Sequence, residues 1–349
     1  MSTDAQPKGR LEPPALSEDG WRQALRIAVG SVLGLAIAKL MNWPFGAFFA
    51  VYPVLLLGLV PIYNIRLAAQ FIASSVVSIL MANILIALGN LAPPLAIMAF
   101  FAFAVHCFRQ MALGRWFIFG ALSMVSTSAL AHLASYPQVP AGDLYTAQFL
   151  ATLLAVFISG AMHVLLPERR PMPPPPQSKP QALVRRQTLL GATCATASYV
   201  AFQLIDLSDS LSAQVATALV LFPMTLAGGR QMAWTRVIGT WIGSLYALAL
   251  QLVLYTHSSR LLLLLSLYGA GIVLFSRMHV RENTGPAVGF GAATAIAVMI
   301  GQLSPRADLY GVSLYRFTSV AIAVFAMLLC IFAVEAILDR LPATRVRMT

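Results

Sequence analysis

Charge is what this chain has least of: only 10% of its 349 residues are Asp, Glu, Lys or Arg, against roughly 25% in soluble globular chains. So few charges cannot cover a water-facing surface, which excludes an ordinary soluble fold and leaves lipid as the solvent for most of the molecule. Cysteine is also scarce. Cys107, Cys194 and Cys330 lack the paired spacing of a zinc site or a redox couple, and read as small buried hydrophobes. There is no glycine-rich loop ending in Gly-Lys-Ser/Thr, so nucleotide hydrolysis within this chain is excluded as an energy source. No metal-ligand spacing and no nucleophile motif occur. The five histidines, His106, His132, His163, His257 and His279, mostly fall near expected span ends and read as interfacial or packed. Neither a metal nor a cofactor is expected, and the chain does not read as an enzyme. The first twenty residues hold Asp4, Glu12, Glu18 and Asp19 and no apolar core, so they are not a cleavable signal peptide.

What is present is apolar sequence, 59% of the chain. Backbone groups in hydrocarbon must pair within their own segment, and the unbroken apolar runs exclude the alternation of a β-barrel. The fold class is therefore all-α: a polytopic membrane protein of about twelve transmembrane helices in two parallel six-helix repeats. Dividing the runs at charges, prolines and Gly/Asn turns places spans near 22–41, 44–62, 66–88, 91–108, 115–134 and 144–166, then 185–206, 211–228, 234–255, 259–278, 284–303 and 309–338. Between the sets lies Leu166-Pro167-Glu168-Arg169-Arg170 followed by a proline-rich run to Pro180, which reads as a stiff, solvated linker. The expected organisation is a disordered tail over 1–20, a first membrane repeat over 21–166, the linker over 167–184, a second repeat over 185–340 and a tail over 341–349.

The net charge of +11 does not imply nucleic acid, because the cations sit in short gaps between apolar runs. Nineteen of the 23 Lys and Arg residues fall on one side of the twelve-span arrangement, and only Lys39, Arg260, Arg306 and Arg316 fall nearer the other. Positive-inside bias then places both termini and the linker in the cytoplasm. The halves also share landmarks in order. Arg22-Gln23 recurs as Arg186-Gln187, Pro53 as Pro223, Arg66 as Arg236, Arg109 as Arg277, Gly114 as Gly285, Phe119-Gly120-Ala121 as Phe290-Gly291-Ala292, and Asp143-Leu144-Tyr145 as Asp308-Leu309-Tyr310. An even number of spans per half makes the repeats parallel, with a substrate path expected between them.

The six-linker-six plan, the Arg22–Arg26 opening and the passage Trp43-Pro44-Phe45-Gly46-Ala47 into the second span resemble the fusaric acid resistance and aromatic acid exporter superfamily, in its compact DUF2955 branch. The resemblance covers about residues 20 to 340. It implies a multi-pass exporter of the bacterial inner membrane that moves small organic anions such as aromatic carboxylates, paired with a periplasmic adaptor of the membrane-fusion type. The larger exporters carry a cytoplasmic domain where this chain has only its linker. Plant malate channels resemble the same superfamily, so a passive anion channel stands as an alternative, as does a non-transporting scaffold. Homo-oligomerisation is left open.

Within this frame the expected anion path comprises Arg26, Lys39, Arg66, Arg236, Asn83 and Arg316. Arg66 and Arg236 recur at matched places, where guanidinium pairs at a cytoplasmic mouth would gather carboxylates. Lys39, supported by Arg26, is expected in a path through the first span, since its aligned residue Gln203 is also polar. Ser74, Ser75, Ser78, Ser123, Ser126, Thr127 and Ser128 could line a polar path with Asn83, although small residues equally let helices approach. Glu335 is the candidate for proton coupling, as the one carboxylate within reach of a span interior. Pro53 and Pro223 are expected to kink matched helices.

Overall fold

The computed structural model describes residues 16–169, 179–205, 211–254, 260–282, 287–302 and 309–341, and every regular element among them is an α-helix. The first half holds α1 (Glu18–Leu40), α2 (Gly46–Leu59), α3 (Ile65–Leu91), α4 (Pro93–Leu113), α5 (Phe117–Leu133) and α6 (Ala141–Leu165). The second holds α7 (Gln181–Leu204), α8 (Leu211–Val220), α9 (Leu226–Leu254), α10 (Leu261–Glu282), α11 (Val288–Gly301) and α12 (Leu309–Leu338). Local chemistry sets several ends. The Ser17 hydroxyl accepts from the Gly20 amide at 3.1 Å ahead of Glu18 and Asp19, an anionic first turn that suits the helix dipole. Asn64 caps α3 through the Arg66 amide at 2.9 Å, and Pro93 opens α4 where no amide donor is needed. The centre of the linker lies outside the described residues, and α7 begins at Gln181.

The helices fall into two classes. Eight are long: α1, α3, α4, α6, α9, α10 and residues Tyr315–Leu338 of α12 are also apolar enough to cross a bilayer, whereas α7, with 24 residues, is long but more polar. Four are short. With 14, 17, 10 and 14 residues, α2, α5, α8 and α11 reach about 21, 26, 15 and 21 Å, below a hydrocarbon core of about 30 Å. The short helices are apolar on nearly every face and almost wholly buried, as α2 and α11 show over most of their length. The long helices present side chains such as Leu80, Met98, Phe157, Leu262 and Phe332 outward. That pattern is an apolar shell for lipid around a core of short helices. Their shortness brings loops to within the depth of the membrane, so the barrier at the centre is thinner than at the rim.

Packing in one half repeats in the other when six is added to each helix number. The pairs α3–α5, α4–α5, α2–α6 and α1–α6 recur as α9–α11, α10–α11, α8–α12 and α7–α12. Between the halves, α1 packs on α10 as α7 packs on α4, and α2 packs on α11 as α8 packs on α5. A two-fold relation requires such reciprocal pairs. The short helices α2, α5, α8 and α11 therefore form the centre of the seam, which α1 with α10 and α4 with α7 complete.

The prolines expected to match do not. Pro53 lies inside α2, whereas Pro223 falls three residues beyond the end of α8, in the turn ahead of Met224, whose φ is 53°. Pro223 therefore ends a helix rather than kinking one, and its place resembles that of Pro61, two residues past α2. Pro53 is accommodated by α1. Proline cannot donate to the carbonyl four residues back, and α1 crosses that Phe49 carbonyl at Gly34, where any side chain would collide with it. Beside it the Ser31 hydroxyl donates to the Ala50 carbonyl at 2.7 Å and meets the Tyr268 hydroxyl at 2.5 Å, tying α1, α2 and α10 together.

Candidate functional site

The most unusual side chain in the seam is Arg236. It is the eleventh residue of α9, about 15 Å from the helix start, and is 7% exposed. Its Nη1 donates to the Thr294 hydroxyl on α11 at 2.7 Å, while its Nε is buried without a partner. No carboxylate among the described residues pairs with it. Thr294 in turn donates to the backbone of its own helix, with the Phe290 and Gly291 carbonyls each at 3.0 Å, so it orients the guanidinium without neutralising it. A buried cation left in this state costs several kcal/mol.

Arg236 faces a cavity of about 70 Å³ where the halves meet, bounded by α2, α5, α8, α9, α11 and α12. Thr240, one turn along α9, lines the same space and its buried hydroxyl has no partner. From the first half, Tyr52 on α2 and Ser126 on α5 face it. They belong to a hydrogen-bonded cluster. The Tyr52 hydroxyl donates to the Gln148 side-chain oxygen on α6, and the Gln148 amide donates toward Ser126 at 3.3 Å and Ser75 at 3.5 Å. Ser126 accepts from Gln148 and also hydrogen-bonds the Tyr52 hydroxyl, so the cluster presents neutral hydroxyls at the cavity. One wall thus offers a charge and the other neutral hydrogen-bonding groups, with Phe48, Val51 and Leu55 supplying apolar surface between them. No group of three His, Cys, Asp or Glu side chains suited to a metal is gathered among the described residues.

The other expected path residues do not converge here. Arg26 is 1% exposed and committed: it donates to the Leu166 carbonyl at 2.8 Å, to the Pro61 carbonyl at 3.1 Å and to Glu168 at 2.6 Å. That pair fixes the start of the linker against the α2–α3 loop. Arg26 therefore does not support Lys39, which lies half-buried in the last turn of α1, 13 residues or about 20 Å away. Arg66 is exposed at the start of α3 and does not share the environment of Arg236; by place in the helix its counterpart is the exposed Arg230 near the start of α9. Asn83 is exposed and bonds to the Ile79 carbonyl of its own helix at 2.8 Å, so it does not line a path. Arg316 is buried and donates to Gln302 at the end of α11, joining α11 to α12. Glu335 pairs with Arg186 at 3.1 Å, beside the Arg186–Asp339 pair at 2.5 Å, and so pins α7 to α12 at a helix end.

Splitting spans at charges is what displaced Arg236 to a helix boundary. The signal for its true depth lies downstream. Arg236, Gly239, Thr240, Gly243, Ser244, Ala247 and Gln251 share one face of α9, all small or polar and all buried. Of the polar residues weighed for a path, Ser75 and Ser126 join the cluster at the cavity, while Ser78 bonds to backbone, to the Ser74 carbonyl at 2.6 Å.

Two family models match, one on each half. Residues 23–162 match DUF2955, a family of proteins of unknown function, and residues 193–330 match the fusaric acid resistance protein-like family. No curated protein and no solved structure matches the chain. The resemblance read from the sequence holds in both halves, and the second match points to membrane transport or efflux rather than to catalysis.

Proposed function

We propose that this chain is a secondary exporter of small organic anions in the bacterial inner membrane, with the seam cavity as the place where the anion is held. The observation that carries the reading is Arg236: a buried guanidinium at the interface of two repeated halves, oriented by Thr294 and left without a carboxylate. A transported carboxylate supplies the missing charge, with Thr240 and Ser126 completing its hydrogen bonds. The cavity of about 70 Å³ is well below the 300–1,000 Å³ of occupied ligand sites. Loading therefore requires α2, α5, α8 and α11 to part along the seam. Aromatic carboxylates as the substrates and a membrane-fusion-type adaptor as the periplasmic partner are part of this proposal, which the likeness to the fusaric acid resistance protein-like family supports only as far as transport or efflux. Cytoplasmic termini and linker follow from the distribution of Lys and Arg. A proton-coupling role for Glu335 requires that its pair with Arg186 open during the cycle.

Reconstitution into liposomes tests the proposal, with radiolabelled benzoate as the probe. Uphill movement under an imposed proton gradient, lost in Arg236→Gln, is the expected result. Flux independent of the gradient would make the protein a channel, and absence of flux with any organic anion tried would make it a scaffold.

A further inference from the structure

The outer side of the second half carries a groove between two of its long helices. An open groove of about 740 Å³ runs between α9 and α12, lined by Ala227, Arg230, Trp234 and Val237 from one helix and by Ala321 and Val324 among the residues of the other. Its walls are mostly apolar, with the polar Gln231 and the cation Arg230 together toward one end. Arg230 is the fifth residue of α9, about 6 Å from the helix start, whereas Val237 lies about 10 Å deeper. Arg230 is exposed, and it has no carboxylate or hydrogen-bond partner among the described residues. Trp234 is 70% exposed beside it, and Phe325 on the facing helix is 64% exposed. Tryptophan with a cation at one level of a membrane helix marks the headgroup boundary.

The equivalent junction in the first half, between α3 and α6, is closed by the protein itself. Tyr63, from the loop ahead of α3, lies over Gly160 of α6, its ring centroid 5.6 Å from that of His163. Among the described residues, no aromatic ring lies over the α9–α12 groove in this way. A groove with apolar walls that faces a bilayer does not hold water, so what fills it is lipid.

We infer that the α9–α12 groove binds an anionic phospholipid, its phosphate on Arg230, its headgroup edge against Trp234 and an acyl chain along Val237, Ala321 and Val324. Arg230 gives the site its preference for a net negative headgroup, because a zwitterionic lipid brings its own cation to the same level. The site is distinct from the Arg236 cavity and stands or falls independently of transport.

The test uses the full chain, delipidated in detergent, with the unfolding midpoint read after adding phosphatidylglycerol, phosphatidylcholine or inorganic phosphate. Phosphatidylglycerol is expected to raise the midpoint by about 2–4 °C, phosphatidylcholine by less than half as much, and inorganic phosphate not at all. In Arg230→Gln the phosphatidylglycerol shift falls to that of phosphatidylcholine, while benzoate flux in liposomes is unchanged. Native mass spectrometry of the wild-type protein alone is expected to retain phosphatidylglycerol in preference to phosphatidylcholine, which keeps the inference testable if the variant fails to fold. Equal effects of the two lipids on the wild-type protein would overturn it, as would an undiminished shift in Arg230→Gln or a shift produced by inorganic phosphate. Disulfide cross-linking of Trp234→Cys between two chains in lipid would overturn it as well, by placing a second copy in the groove.

Discussion

Arg26 and Arg236 are both withdrawn from solvent, at 1% and 7% exposure, and yet they are opposite cases. Arg26 is surrounded by acceptors: Glu168, itself buried, and the carbonyls of Leu166 and Pro61. Arg236 has one threonine hydroxyl and an unpartnered Nε. The first arginine holds the end of α6 against α1 and the α2–α3 loop, so its interactions are complete in the protein as it stands. The second lies beside the cavity where the two halves meet, and no carboxylate among the described residues pairs with it. Burial alone does not identify a functional charge; what separates these two is whether the protein supplies the counter-charge.

The largest expected effect breaks the first member of the comparison. Removing either partner of Arg26–Glu168 takes from the other a buried, close counter-charge, which costs about 3–5 kcal/mol. Arg26→Gln and Glu168→Gln are both expected to lower the unfolding midpoint steeply in detergent, and to lower it less than additively when combined. Additive losses would mean that the two side chains do not act as a pair.

Arg236 should behave in the reverse sense. Arg236→Gln removes an uncompensated buried cation, so stability is expected to hold or rise while benzoate flux falls at least tenfold, equivalent to about 1.4 kcal/mol. Circular dichroism melting and liposome flux on the same preparation read both quantities. A loss of stability comparable to that of Arg26→Gln would place Arg236 among the structural charges.

Arg186 sharpens the contrast as an intermediate. Its pairs with Glu335 and Asp339 fix α7 to α12 much as the Arg22 and Arg26 side chains fix α1 to the residues after α6, but the groups are partly solvated, at 18% and 19% side-chain exposure for Arg186 and Glu335. Glu335→Gln is expected to cost about 1 kcal/mol, read from denaturation, and flux that survives it would separate Glu335 from proton coupling. The smallest effect is expected at Lys39. In the last turn of α1 it complements the helix dipole, worth about 0.3–1 kcal/mol, and Lys39→Leu should leave flux within about twofold of wild type.

The same contrast accounts for what the sequence could disclose. The spans were legible because a bilayer demands long apolar runs, and the limits of α1, α3, α6 and α12 follow the expected spans to within a few residues. Partnership was not legible. Nothing local says that Arg26 meets Glu168, 142 positions away, or that Asn83 turns outward to its own helix. Arg236 was named, but as a mouth residue matched to Arg66, since an offset of 170 positions pairs the two and each stands near the start of an apolar run. Only the small and polar stripe from Gly239 to Gln251, on the same face, carries its depth. Pro223 was misplaced for a related reason: a constant offset pairs it with Pro53, whereas helix ends pair it with Pro61.

The most direct test of Arg236 as an anion site needs no gradient and no flux. Benzoate titrated into purified wild-type protein and into Arg236→Gln, with heat or intrinsic fluorescence as the signal, reads occupancy of the seam itself. Saturable binding to the wild-type protein, weakened at least tenfold in Arg236→Gln and unchanged in Arg66→Gln, is the predicted result. Equal affinity in wild type and Arg236→Gln, with both folded, would contradict it.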